Sequence, residues 1–289
     1  MAIGQNSANP RKFQKSQLKI YAVLIPVALV MIFPILYIVN HAFKPMEELF
    51  AYPPKFFVSN PSLSNFYKLI RATVTSNVPV ARYLFNSIFI TICVLVFTLT
   101  FTTMAAYALS KMNFKGRKFL LGLNDIGLMF VAIALQIPRY LIVDKLGIHD
   151  TYYVHILSLI VLPVGLLLLK QFVDGVPDSL IEAARIDGAG EFKTFTSIII
   201  PMLKPAMATV AILTFQEVWN NLETSQMYID TDAFKTFAFY MHTLSSNTNT
   251  VAGQGLAAAA TLILFVPNVV LFIIMQSKVM STMATSGIK

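Results

Sequence analysis

The chain has 289 residues, 56% of them hydrophobic and only 12% charged, with a net charge of +8 and a mean hydropathy of +0.67. A soluble domain carries about 25% charged residues, so the composition excludes an ordinary soluble enzyme and points to lipid. A single cysteine, Cys93, excludes an internal disulfide, and the sequence holds no GxxxxGK[ST] phosphate loop.

Residues 1–17 are polar and read as a tail. Asp, Glu, Lys and Arg are then absent over 20–43, 83–110, 126–138 and 151–169. A helix needs about 20 apolar residues to cross a bilayer, whereas barrel strands alternate over about 10. The pattern therefore predicts an all-α integral membrane protein. Its six spans are expected over about 20–40, 84–108, 119–138, 152–172, 204–222 and 256–277. The first span is too long for a signal peptide and lacks a small-residue cleavage site, so it is expected to remain. Pro26, Pro34 and Pro267 are expected to bend their helices. The proline-rich loop 41–82 reads as an external cap or docking surface, and 223–255 as a second external segment in which Phe234 to Leu244 form a short amphipathic helix or a re-entrant piece.

Orientation follows the lysines and arginines. The compact 111–118 loop carries Lys111, Lys115, Arg117 and Lys118 and no acid. It is expected inside, with both termini cytoplasmic. The basic excess then serves topology and anionic lipid rather than nucleic acid.

Between spans four and five, Pro177, Asp178 and Ser179 read as a helix start. Ser179 and Glu182 have capping-box spacing, and Gly188 and Gly190 end the helix. Leu180, Ala183 and Ala184 fall on one side, and the alanines permit close approach of a partner. About 13 Å of helix over 179–187 is too short to stand alone. One reading is a docking helix for a soluble partner; the other is a plain interfacial connector. Residues 192–200 are amphipathic and suit a helix lying along the membrane before span five rises.

Polar groups at membrane depth are functional candidates. Span five gathers Gln216, Glu217, Trp219, Asn220 and Asn221, a set that offers hydrogen bonds and an aromatic face to a sugar. The alternative makes Trp219 an interface anchor and the asparagines helix-end residues. In span three, Gln136 could face the same path. Asp125 is expected to pair with Lys118 or another span. The histidines show no metal-ligand spacing, and no nucleophile–base pair is evident.

Glu182-Ala183-Ala184, Asp187-Gly188-Ala189, Ile200-Pro201 and Pro205 resemble the loop motif of binding-protein-dependent ABC importer permeases. Further matches point to the MalG-like carbohydrate branch. They are Phe43-Lys44-Pro45, Pro53-Pro54, Asn65-Phe66, Asn86-Ser87, Ala105 to Leu109, Phe114 to Arg117, Trp219-Asn220, Pro267, Gln276 and the terminal Gly287-Ile288-Lys289. Within that branch the chain also resembles the smaller permeases of alginate oligosaccharide importers, though no motif separates this cargo from other sugars.

The resemblance implies a single type I importer transmembrane domain over 1–289, six helices with a cytoplasmic coupling helix inside the 177–203 loop. It implies that Glu182, Ala183, Ala184, Asp187, Gly188 and Ala189 dock on an ATPase. Gln136, Gln216, Glu217, Trp219, Asn220 and Asn221 are the candidate path or gate. The implied partners are a homologous second permease, two ATPase subunits that hold ATP and Mg, a solute-binding protein and a carbohydrate. The implied location is the bacterial inner membrane, and the chain itself catalyses nothing. The rivals are an amino-acid or peptide ABC permease and an ATP-independent secondary transporter or channel.

Overall fold

The computed structural model describes residues 18–71, 78–247 and 251–286. The expected tail (1–17) and the terminal Gly287, Ile288 and Lys289 lie outside them. Every regular element among the described residues is helical. In order these are α1 (Leu18–Phe43), α2 (Met46–Leu49), α3 (Ser64–Arg71), α4 (Val80–Lys111), α5 (Arg117–Met129), α6 (Gln136–Leu146), α7 (Tyr152–Leu159), α8 (Pro163–Asp174), α9 (Asp178–Ile186), α10 (Glu191–Thr194), α11 (Ile200–Trp219), α12 (Glu223–Tyr228), α13 (Phe237–Asn247) and α14 (Val251–Ser286).

Four stretches are long and apolar enough to cross a membrane: Ile20–Phe43, Val80–Lys111, Glu191–Trp219 and Gly253–Gln276. Two bent pairs bring the total to six if each pair is one span: α5 with 133–146, at 111°, and α7 with α8, at 47°. The protein is thus an all-helical membrane protein, but two of its expected straight spans are broken.

The third span was expected to run straight over 119–138. Instead α5 stops at Met129, and Phe130 and Val131 are extended. At about 20 Å, its 13 residues fall short of the roughly 30 Å hydrocarbon core. In one continuous helix Pro138 would remove a backbone bond and clash with Ala134. Restarting at Gln136 puts Pro138 in a first turn, where its missing N–H costs little. Asp125 is exposed and pairs with no described residue, contrary to the expected ion pair.

The fourth span breaks at Ile160–Leu162, with Pro163 opening α8. Pro163 cannot donate to Leu159, so the break loosens carbonyls at membrane depth. Thr98 of α4, fully buried, donates its hydroxyl to the Ile160 carbonyl at 2.9 Å.

The fifth span starts earlier than expected. Residues 192–200 are no separate in-plane helix: α10 runs through a π turn (Phe195–Ile199) into α11. The turn sits just before Pro201, where the Ile200 N–H reaches back to the Phe195 carbonyl. Widening the helix there accommodates a residue that cannot bond to Ser197.

Two compact units make up the chain, Met1–Tyr67 with Thr248–Leu262 and Lys68–Asn247 with Ile263–Lys289. In the first unit, buried Asn65 donates to the carbonyls of Ala42 (3.0 Å) and Lys44 (2.8 Å), satisfying the C-terminal end of α1. Glu48 accepts the N–H groups of Ser59 and Asn60 at 2.9 and 2.7 Å, and these bonds hold its carboxyl below the usual range. The side chains of residues 20–37 of α1 are exposed.

In the second unit α4 is the central helix, packed chiefly on α8 and α11. Asn86 and Ser87, both buried in α4, anchor a distant loop. Asn86 Nδ2 donates to the carbonyls of Ala233 and Lys235 at 2.8 Å each, and its Oδ1 accepts the Tyr152 hydroxyl at 2.7 Å. Ser87 Oγ accepts the Phe237 N–H at 2.8 Å.

Candidate functional site

The short helix α9 is held by its own chain. Ile181 is buried in a cluster with Tyr107, Val173, Val176, Phe195 and Ile199, and Ala184 is buried as well. Lys111 Nζ reaches the Val176 carbonyl (2.7 Å) and Asp178 Oδ1 (2.6 Å) at the start of the helix. At its end, Arg185 donates to Glu191 Oε1 at 2.8 and 3.2 Å, while Tyr107 donates to Glu191 Oε2 at 2.8 Å. The hydrogen bond and charge of Glu191 raise the pKa of Arg185 further.

The expected Ser179–Glu182 capping box does not form. Pro177 is the N-cap residue and no side chain caps the helix, so Ser179 and Glu182 lie two positions too far in. Asp178 in the first turn suits the positive end of the helix dipole. The C-terminal expectation matches better. Gly188 is left-handed (φ 78), its N–H bonds to Arg185 (3.0 Å), and the Ala189 N–H bonds to Ala184 (2.9 Å). Those two bonds form a Schellman motif.

The exposed face differs from the expected one. Ala184 points into the protein, while Leu180, Ala183 and Ile186 are outward, with Ile186 at 85% exposure. Glu182, Asp187 and Gly188 are also exposed, Ala189 is half-buried, and Phe192 stands 76% exposed beside them. Ile186 and Phe192 were not singled out from the sequence. Their signal was an apolar residue in an otherwise polar loop.

Gly188→Ala is expected to cost about 1–2 kcal/mol, because alanine resists the left-handed region, although open space surrounds its Cβ position. Gly190→Ala, at φ −70 and ψ 165 with equally open space, is expected to be neutral. Hydrogen exchange of the 184–189 amides checks this contrast. Equal protection in the two variants would show that something other than the Schellman bonds fixes the helix end.

The second candidate is a cavity of about 190 Å³ at the break between α7 and α8. Its polar walls are Arg139, Ser158, Thr214, Glu217, Asn221 and Glu223. Arg139 of α6 and Glu223 of α12 are paired at 3.2 Å, both about two-thirds or more buried. Thr214 is 1% exposed and its hydroxyl has no partner among the described residues. Glu217 has no ion pair or hydrogen bond among the described residues.

Of the predicted path residues, only Glu217 and Asn221 line this cavity. Asn221 also accepts the Thr224 N–H and hydroxyl. Trp219 is 5% exposed, stacks on Phe215, and donates its indole N–H to the Leu264 carbonyl at 2.9 Å. Its ring therefore offers no open face in this chain. Asn220 donates back to Gln216 O and accepts from Asn268. The Gln216 side chain is exposed, and Gln136 is half-buried one turn before Arg139. Arg139 itself was missed because it lay beyond the predicted end of a straight span.

Residues 98–277 match the family model described as "Binding-protein-dependent transport system inner membrane component". The chain is 30% identical over 265 residues to the arabinooligosaccharides transport system permease protein AraQ of Halalkalibacterium halodurans, covering 91% of this chain and 93% of that one. It is 28% identical to the trehalose transport system permease protein SugB of Mycobacterium tuberculosis, over 89% and 92% of the two chains. It is 27% identical to the diacetylchitobiose uptake system permease protein DasC of Streptomyces coelicolor, over 90% and 92%. Its fold is similar to a chain in the crystal structure of a bacterial ABC transporter involved in the import of the acidic polysaccharide alginate. There the TM-score is 0.81 and the identity 21%, over 93% of this chain and 99% of that one.

Proposed function

The chain belongs to the binding-protein-dependent transport system inner membrane components, and from that premise we propose that it forms one half of the path of an ATP-driven oligosaccharide importer. As a member of that family it is a multi-pass inner membrane protein and a non-enzymatic subunit. The observation that carries the reading is α9: a two-turn helix clamped at both ends by its own chain, with an apolar face left exposed. A rigid helix with an open face suits the transfer of force from a soluble partner. In this reading Glu182, Ala183, Asp187, Gly188 and Ala189, joined by Leu180 and Ile186, dock in an ATPase groove on the cytoplasmic side. Ala184 supports them from behind. The working unit contains a second, homologous permease, two ATPase subunits that bind ATP and Mg, and a solute-binding protein outside.

An oligosaccharide cargo is supported by relatives named for arabinooligosaccharides, trehalose and diacetylchitobiose. A uronate cargo of the alginate type is the narrower reading. Its carboxylates would need positive charge along the path, and the cavity here holds one arginine against two glutamates. Gln136, Gln216, Trp219 and Asn220 serve the path, in this reading, by shaping the helices around it.

The complex reconstituted in proteoliposomes is expected to take up labelled oligosaccharide only with ATP, the ATPase subunits and the binding protein present. Uptake that persists without the ATPase would make the chain a channel or secondary transporter. ATPase stimulation by an amino acid or peptide, and by no sugar, would move it to another importer class.

A further inference from the structure

The cavity at the α7–α8 break has a chemical bias of its own. Arg139 and Glu223 satisfy each other at 3.2 Å. That leaves Glu217 as the uncompensated charge and Thr214 as a buried, unpartnered hydroxyl on the same wall. Thr214 and Glu217 are three residues apart and share one face of α11. Glu217 lines the cavity but is itself exposed, so its carboxylate is open to an incoming donor. The buried Thr214 hydroxyl has no partner among the described residues and calls for one. Resting on the oligosaccharide reading above, the geometry points to a cargo subsite in this chain that takes one uncharged sugar ring. Glu217 accepts its hydroxyl protons, Thr214 completes the set, and carboxylate-bearing sugars are repelled.

Size supports a single ring. Pockets that enclose a whole drug-sized ligand measure roughly 300–1,000 Å³, and this one is about 190 Å³. Leu159, Val161, Leu162 and Pro163 form the rest of the lining and give an apolar surface for the C–H face of the ring. The ionised carboxylate is an acceptor only, so its complement is a vicinal pair of hydroxyls rather than another anion. A second carboxylate brought against Glu217 meets like charge, so a uronate that fits by shape is disfavoured.

The test uses the full importer in proteoliposomes, with neutral oligosaccharides (arabino- and malto-oligosaccharides, diacetylchitobiose) and alginate oligosaccharides as probes. Each is read by uptake and by cargo-stimulated ATPase activity. Wild type is expected to take at least one neutral sugar and to discriminate against the uronates. Glu217→Gln is expected to reduce neutral-sugar uptake about tenfold, the value of one charge-assisted hydrogen bond, and to narrow the gap to the uronates. Glu217→Asp should restore part of the discrimination, and Thr214→Val should weaken neutral-sugar uptake without changing the preference for neutral sugars over uronates. Uronates taken up by wild type as well as neutral sugars would overturn the subsite. So would a Glu217→Gln protein with unchanged cargo preference. If no sugar stimulates the wild-type complex, the oligosaccharide reading itself falls, and that result is distinct from a change of preference.

Discussion

Asn86→Leu is expected to be among the most destabilising single substitutions in the chain. Asn86 is fully buried and makes three side-chain bonds of 2.7–2.8 Å, to the Ala233 and Lys235 carbonyls and the Tyr152 hydroxyl. Leucine fits a membrane helix by hydropathy, yet it removes a partner from three polar groups. The Ala233 carbonyl and the Tyr152 hydroxyl still accept from Arg82, at 3.2 and 3.1 Å, while the Lys235 carbonyl loses its side-chain donor. A buried group left without a partner costs about 1–3 kcal/mol, so a loss of about 2–3 kcal/mol is expected. Thermal unfolding of the detergent-solubilised complex measures it. Proteolysis of the 231–236 loop supplies a local readout. A melting temperature within a degree or two of wild type would mean that the loop is held from elsewhere.

Ile186→Asp is expected to act in the opposite way, with normal folding and lost function. Ile186 is 85% exposed, so an aspartate there meets water rather than the core. If α9 docks in a groove, the same change places a charge in an apolar contact. Hot-spot losses of about 2–4 kcal/mol correspond to roughly 30- to 700-fold weaker docking. Cargo-stimulated ATPase activity should fall to the level of the ATPase subunits alone, while the permease pair still assembles and binds lipid. Full stimulation with Ile186→Asp would show that the exposed face of α9 is not the docking surface. An Ile181→Ala control separates the two effects: Ile181 is 4% exposed, and its loss should lower stability first.

The contrast between these residues shows what the sequence carried. Hydropathy gave the helical membrane class and the place of the apolar stretches, the start of the fifth span aside, because lipid imposes that pattern directly. Glycine and proline marked both ends of α9 for an equally local reason. Two kinds of information were not legible. Hydropathy is blind to bends, so the turn after Met129 and the break before Pro163 vanished into runs that read as straight. Arg139, placed by that turn, then looked like an external charge. The direction of a side chain also depends on what packs behind it. Ala183 and Ala184 are adjacent and alike, yet only the second is buried, on the side of the helix that also carries Ile181. Trp219 is a third case. An aromatic near a span end looks like an anchor or a sugar platform, yet a single backbone carbonyl at Leu264 turns it inward.

The joint at Ile160–Leu162 has a mechanical consequence. From Pro163 the 12 residues of α8 run to Asp174, and only Gly175 to Pro177 separate them from α9. A helix of that length is a stiff rod of about 18 Å. Its near end is welded through Val173, Val176 and Ile181 into the packing around α9. Its far end, Pro163, is part of the cavity wall. A tilt of roughly 10° in such a rod displaces its tip by about 3 Å, the width of one water molecule. Because the joint is already unwound and Thr98 holds its free carbonyl, that tilt need not break a helix. A tilt of α8 about Ile160–Leu162 is thus small enough at its tip for side-chain repacking to absorb.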